Sequence, residues 1–238
     1  MPLVHVLQNE RMEDLGIIAQ VLQSVGLDAR VTRTWAGEPV PRYLDGADGL
    51  IVLGGSMSVY DHGRHPFLLD ALRLVDQALR QDKPVLGVCL GSQILATCLG
   101  AQVRRGQQRE LGWHMLELSE IARADRLWGA LPDRLMAFHW HGDVFELPPG
   151  CESLASSELT ECQAFVYGRS AYGVLCHLEL SRQILEDLLE SPGEDLLHLG
   201  SPVAAVLAQA EEFLAPLQQA GRMLFQAWAM LCLEAGST

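Results

Sequence analysis

The chain has 238 residues, 49% hydrophobic and 20% charged, which is enough apolar material for the core of one large α/β domain or two small ones. A formal net charge of −13 excludes the basic face that nucleic-acid phosphates call for. No segment has the uninterrupted apolar length of a membrane span, and the amino terminus lacks the basic start and small-residue cleavage site of a signal peptide.

Residues 4–7 read as a first strand. Between Met12 and Val25, apolar residues at Leu15, Ile18, Ala19, Leu22 and Val25 form a helical stripe that Gly26 ends. Residues 29–32 read as a second strand and residues 36–41 as a loop. Residues 49–53 are a continuous apolar run, the pattern of a strand buried on both faces of a parallel sheet. That run meets Gly54-Gly55-Ser56. The glycine pair is either a turn that needs positive φ or a ligand-facing loop at the carboxyl end of a strand. In the second case an amide of Gly55 or Ser56 can serve an oxyanion hole. A phosphate cradle lacks the Lys-Ser/Thr ending of a P-loop. Residues 66–79 carry a further helical stripe.

Next comes Lys83-Pro84-Val85-Leu86-Gly87-Val88-Cys89-Leu90-Gly91-Ser92-Gln93, and then an apolar helical pattern that stops at Gly100. This is strand, sharp turn, helix, with Cys89 on the turn. It has the Gly-x-nucleophile-x-Gly form of a nucleophile elbow with cysteine in place of serine. The amide of Leu90 and the first helical turn point at the sulfur, where a helix N-terminus favours a thiolate and a developing oxyanion. The alternative is a buried core cysteine. Strand and helix alternate up to this point, so a right-handed parallel α/β sheet is the economical topology. The six cysteines, Cys89, Cys98, Cys151, Cys162, Cys176 and Cys232, show no paired spacing. Neither a zinc framework nor disulfides are expected, and a reducing cytoplasm is the expected location.

After Gly100, residues 102–104, 112–118 and 135–138 read as short strands between polar loops. In Phe138-His139-Trp140-His141-Gly142-Asp143 the histidines at i, i+2 would face the same way on a strand, as metal ligands do. The chain offers no further ligand cluster, so no metal is expected. The preferred reading is a loop that borders the active site and shapes the substrate pocket. Residues 154–157 and 164–167 read as strands. Residues 172–180 run into a helix at 181–189 with Ser181 as its N-cap. His177 and Glu179 lie two apart, so on an extended segment they share a face. A carboxylate there fixes the imidazole tautomer and stabilises its charged form. Ser191-Pro192-Gly193 then breaks the chain. Residues 202–217 and 220–233 read as two amphipathic helices that pack back on the sheet or, alternatively, form a partner or dimer surface.

Taken in order, Gly54-Gly55-Ser56, Gly87-Val88-Cys89-Leu90-Gly91-Ser92-Gln93 and His177-Leu178-Glu179 resemble the class I glutamine amidotransferase family of the triad type. The features Leu53 through Asp61, Gly112-Trp113 and His139 through Asp143 resemble its stand-alone group, related to the amidotransferase domain of GMP synthase. The resemblance covers about residues 3–190. It implies an open, mostly parallel central sheet with flanking helices, flavodoxin-like, with residues 1–190 as the amidotransferase-like domain. Residues 191–238 then form a C-terminal helical extension on that domain. It implies hydrolysis of the glutamine side-chain amide, with Cys89 as nucleophile, His177 as general base and acid, and Glu179 as its orienter. Gly55 and Leu90 supply oxyanion amides. Gln93 and the backbone around His141, Gly142 and Asp143 help hold the glutamine. Ser56 stands where this group often has proline. No cofactor is implied. The implied partners are a small-molecule substrate, L-glutamine or another γ-glutamyl compound, and an ammonia-accepting synthase, with no nucleic acid and no membrane. A γ-glutamyl peptide or conjugate hydrolase and a non-catalytic regulatory module are the alternatives.

Overall fold

The computed structural model describes residues 2–190 and 194–236. The expected break at Ser191-Pro192-Gly193 lies outside the described residues. The chain begins β1 (Leu3–Gln8), α1 (Ile17–Ser24), β2 (Asp28–Arg33), β3 (Gly49–Val52), α2 (Phe67–Arg80), β4 (Val85–Val88) and α3 (Leu90–Cys98). It continues with β5 (Val103–Leu118), β6 (Arg134–Phe145), β7 (Cys151–Ser156), β8 (Ala164–Tyr167) and β9 (Ala171–Val174), and ends with α4 (Arg182–Glu190), α5 (Glu194–His198) and α6 (Val203–Ala235). The nine strands form one sheet in the order β2-β1-β3-β4-β9-β8-β7-β5-β6. Strands β2, β1, β3, β4 and β9 are mutually parallel, and β8, β7, β5 and β6 continue the sheet antiparallel.

The apolar runs of β3 and β4 are buried at every residue because helices cover both faces of the parallel part. Helices α2 and α3 pack with each other on one face, and α1 packs with α6 on the other. Strand order reverses direction around β1, the switch point at which open α/β sheets leave a crevice beyond their carboxyl ends. The segments after β1, β3, β4 and β9 all emerge at that edge. Among the described residues no helix is long and apolar enough to cross a membrane.

Four elements differ from the sequence reading, each for a non-local reason. The helix expected from Met12 starts only at Ile17. Gly16, at φ 48°, turns the chain, and Ile17 N–H donates to the Glu179 carbonyl at 3.0 Å. The pieces at 102–104 and 112–118 belong to one strand, β5, with a register shift between Arg105 and Glu110 where it pairs with β6. Residues 138–143 are not a loop but the middle of β6, paired with β5. Their polar side chains look like loop in the sequence, yet His141 and Asp143 find hydrogen-bond partners inside the fold, while His139 is buried with neither ring nitrogen hydrogen-bonded. The two C-terminal helices are one helix, α6, which runs through Pro216. Proline removes a single backbone donor, and packing on both sides of it carries the helix on.

Helix α6 also touches the segment after β9. Gly221 lies so close to Leu178 that a Cβ there would overlap the Leu178 carbonyl, and Gln218 Nε2 donates to the Leu180 carbonyl at 3.1 Å. Gly221→Val is therefore expected to destabilise the protein by about 2–3 kcal/mol and to lower turnover by displacing residues 177–180. Urea unfolding and a rate measurement on the same preparation check both effects. Ser181 caps α4 as expected, accepting from Ile184 N–H at 3.1 Å.

Candidate active site

Strand β4 ends at Val88, and Cys89 turns the chain into α3. Its φ of 49° and ψ of −109° lie outside the regions open to side chains, which marks a strained position. The strain is held by packing. Cys89 N–H donates to the Val174 carbonyl of β9 at 2.8 Å, and Ser92 Oγ donates to the Cys89 carbonyl at 2.6 Å. Gly87 and Gly91 are glycine because of close approach. A Cβ on Gly87 would meet the Gly91 carbonyl, and one on Gly91 would meet the Val52 carbonyl at the end of β3. The elbow is thus pressed against the neighbouring strand, with no room for a methyl group. Leu90 begins α3, so its amide is among the first helical amides, which have no acceptor within their own helix.

At the end of β3, Leu53 N–H donates to the Leu7 carbonyl at 3.0 Å, and Asn9 Nδ2 donates to the Leu53 carbonyl at 2.8 Å. Neither Gly54 nor Gly55 has positive φ, so the turn explanation of this pair does not hold. A Cβ on Gly54 would meet the Glu13 carboxylate, and one on Gly55 would crowd Met57, Leu90 and Asn9.

Beyond β9 the chain leaves regular strand, and His177 N–H donates to the Phe138 carbonyl of β6 at 2.8 Å. His177 Nδ1 and Glu179 Oε1 are 2.7 Å apart and buried. Nδ1 carries the proton to the carboxylate, which leaves Nε2 for a partner in the cleft. A ring nitrogen of His177, Cys89 Sγ and a carboxylate oxygen of Glu13 all lie within 4.8 Å of one another. Burial works against a charged His177, but Glu179 and Cys89 outweigh it and hold its pKa well above the ordinary value. Burial pushes the Cys89 thiol up, His177 pulls it down, and the charges of Glu13 and Glu179 push it up again. Among the described cysteines Cys89 alone has a histidine pulling it down. Burial leaves Cys98 and Cys162 pushed up to about 12.

Cys89 opens onto a cleft of about 660 Å³. Gly55, Gln93, His141, Gly142 and Asp143 line it, so the residues expected to meet a substrate come together there. Gln93 is buried, with its Oε1 unpaired and available as an acceptor. Asp143 Oδ1 accepts from the Tyr60 hydroxyl at 3.2 Å. The sequence reading passed over Glu13, buried in the segment after β1, and the rim formed by Arg105 and Arg109 on the irregular part of β5. The signal for Glu13 was an acid placed just beyond the carboxyl end of a parallel strand, and the apolar stripe around it hid that signal.

His139 and His141 do face the same way, as the spacing implied, and the residue they meet is Glu110 of β5 rather than Asp143. His139 Nδ1 is 3.9 Å from Glu110 Oε1, and His141 Nε2 is 3.5 Å from Glu110 Oε2. Gln163 Nε2 stands between the last two atoms, 2.8 Å from Glu110 Oε2 and 3.2 Å from His141 Nε2. Glu110 also accepts from the Ser157 and Thr160 hydroxyls. One ligand atom from each of Glu110, His139 and His141 lies within 4.8 Å of the others; Glu110 and His141 are hydrogen-bonded, and neither ring nitrogen of His139 is. Burial, and then the neighbouring His177, push His141 down to about 3; burial and nearby histidines put His139 well below its ordinary value. Both rings are neutral at physiological pH. Glu110→Ala leaves three donors without their acceptor and is expected to cost about 3 kcal/mol, read as a lower urea midpoint.

The glutamine amidotransferase class-I family model matches residues 14–188. A glutamine amidotransferase-like protein of Salmonella typhimurium, YfeJ, is 30% identical over 196 residues, which is 81% of this chain and 82% of that protein. The glutamine-hydrolysing GMP synthase of Thermoplasma volcanium has a subunit that is 30% identical over 68% of this chain and 75% of its own length. The crystal structure of a glutamine amidotransferase from Thermotoga maritima superposes with a TM-score of 0.86 at 31% identity, covering 96% of this chain and 98% of the other. The sheet, the elbow and these likenesses agree, and the chain belongs to the class I glutamine amidotransferase family.

Proposed function

We propose that this protein hydrolyses the side-chain amide of L-glutamine through a γ-glutamyl thioester on Cys89, works in the cytoplasm and passes ammonia to a separate synthase. The observation that carries the reading is the elbow cysteine on a cleft, within 4.8 Å of a histidine whose far nitrogen is held by a buried glutamate. The synthase is suggested by the name of the Thermoplasma volcanium relative, one subunit of a glutamine-hydrolysing enzyme.

In this reading His177 Nε2 takes the Cys89 proton, and Sγ attacks the amide carbon. The carbonyl electron pair moves onto oxygen, which the amides of Gly55 and Leu90 receive; one such donor contributes about 10²–10³ in rate. His177 returns the proton to the nitrogen, the C–N bond breaks with its electron pair going to nitrogen, and ammonia leaves. Water then gives a proton to His177 and attacks the thioester. The C–S bond breaks, sulfur regains the proton and glutamate leaves. Glu179 holds the imidazole in the tautomer that both halves require. Gln93 and the backbone at 141–143 bind the amino-acid end of the substrate.

One observation favours a larger substrate. The cleft volume falls within the roughly 300–1,000 Å³ of sites that enclose whole drug-sized ligands, and Arg105 and Arg109 stand on its rim. A γ-glutamyl conjugate would use the same thioester. The test is glutamate and ammonia release from L-glutamine by the purified chain, run beside a γ-glutamyl dipeptide. Turnover of glutamine bears out the first reading, and turnover of the dipeptide alone bears out the second. No turnover of either, with or without a synthase partner added, removes both.

A further inference from the structure

Glu13 has no role in the chemistry described so far, yet it stands in the catalytic corner. It is 7% exposed, it lines the cleft, and its carboxylate is wedged against Gly54. Three chain segments converge here: the loop after β1 brings Glu13, the elbow brings Cys89, and the stretch after β9 brings His177. We propose that Glu13 is a further catalytic residue, whose carboxylate accepts a hydrogen bond from the leaving nitrogen of the substrate amide and stabilises it as it is protonated. The inference rests on the reading of Cys89 and His177 given above.

The geometry selects the nitrogen. Because the three atoms all lie within 4.8 Å of one another, a single small atom beside them can be in reach of all three. Only one atom of the tetrahedral intermediate belongs there. It must be bonded to the carbon that carries sulfur, and it must receive the proton from His177 Nε2; that atom is the amide nitrogen. The oxyanion points instead to the backbone amides at the elbow and after β3. The nitrogen presents its lone pair to His177 and keeps N–H bonds that need an acceptor. An ionised carboxylate only accepts, so it suits those bonds and the positive charge that grows as the proton arrives. Glu13 moves no proton. The proton goes from Nε2 to nitrogen, the C–N electron pair follows it, and the oxyanion pair restores the carbonyl.

The position carries a cost at an earlier step. The Glu13 charge opposes formation of the Cys89 thiolate, as does Glu179, while His177 favours it. A residue placed there to prepare the nucleophile would have the wrong sign. A residue that acts when ammonia departs has the right one.

The opposed signs give the test. Turnover of L-glutamine and alkylation of Cys89 by iodoacetamide are measured at pH 7 for the full chain, Glu13→Gln and Glu13→Asp, with melting curves for all three. Glu13→Gln is expected to lower kcat about 10²-fold with KM changed less than threefold, while Cys89 is alkylated faster. Glu13→Asp keeps the charge but withdraws it by one methylene, so alkylation stays near that of the parent while kcat still falls. A kcat for Glu13→Gln within threefold of the parent overturns the inference. So does alkylation that slows in step with turnover, since that is the mark of a merely structural residue. If the parent chain itself releases no ammonia from glutamine, the glutamine reading on which this inference rests fails, and that result is distinct from an active parent matched by an active Glu13→Gln.

Discussion

Cys89→Ala is expected to lower glutamine turnover by at least about 10⁴-fold, to the background of the uncatalysed assay. The sulfur makes and breaks the covalent bond, and no other thiol among the described residues is paired with a histidine. The backbone at this position adds a second part to the prediction. Cys89 holds φ at 49°, a conformation that costs a side-chain residue about 1–3 kcal/mol. Alanine retains that strain and glycine does not. Cys89→Gly should therefore be as inactive as Cys89→Ala and more stable than it by about 1 kcal/mol, measured as the urea midpoint at unchanged slope. Full activity in either variant would remove Cys89 from the chemistry. A glycine variant less stable than the alanine one would show that packing, not backbone strain, dominates at the elbow.

Gly91→Val is expected to cost more than about 4 kcal/mol, a large part of the 5–15 kcal/mol that holds a typical domain folded. The first atom of the new side chain would overlap the Val52 carbonyl, and Val52 is buried at the end of a central strand with strands on both sides. Nothing flexible is available to move aside. Either α3 shifts away from the sheet or β3 breaks its ladder with β1 and β4. Gly100→Ala is the control. Gly100 has φ of 91° but open space around it, so only backbone strain of about 1 kcal/mol is expected. Soluble expression and urea unfolding separate the two. Comparable losses would mean that close approach at the elbow is not what requires glycine.

The features that could be read from the chain are those whose cause is local. Apolar runs between glycines predicted β3 and β4, and a 3.6-residue stripe predicted α2. The spacing around Cys89 and the His177–Glu179 pair named side chains that the fold brings together. Each of these patterns follows from the geometry of a strand, a turn or a helix, which neighbouring residues set by themselves. Burial and hydrogen-bond satisfaction are different, because they depend on residues far along the chain. Phe138 to Asp143 looked like loop because two histidines and an aspartate sit there, but pairing with β5 makes a strand of it, and Gln163 and Tyr60 supply partners for His141 and Asp143. Glu13 looked like one position in a helix until the turn at Gly16 and the Glu179 carbonyl ended that helix before it began. The long C-terminal helix looked like two because its apolar stripes drift, and its close contact at Leu178 joins what sequence spacing separates. The sequence by itself determined the family and the elbow. The tertiary structure alone decided which acids stand beside the cysteine, because a carboxylate acquires its role from the groups that surround it in space.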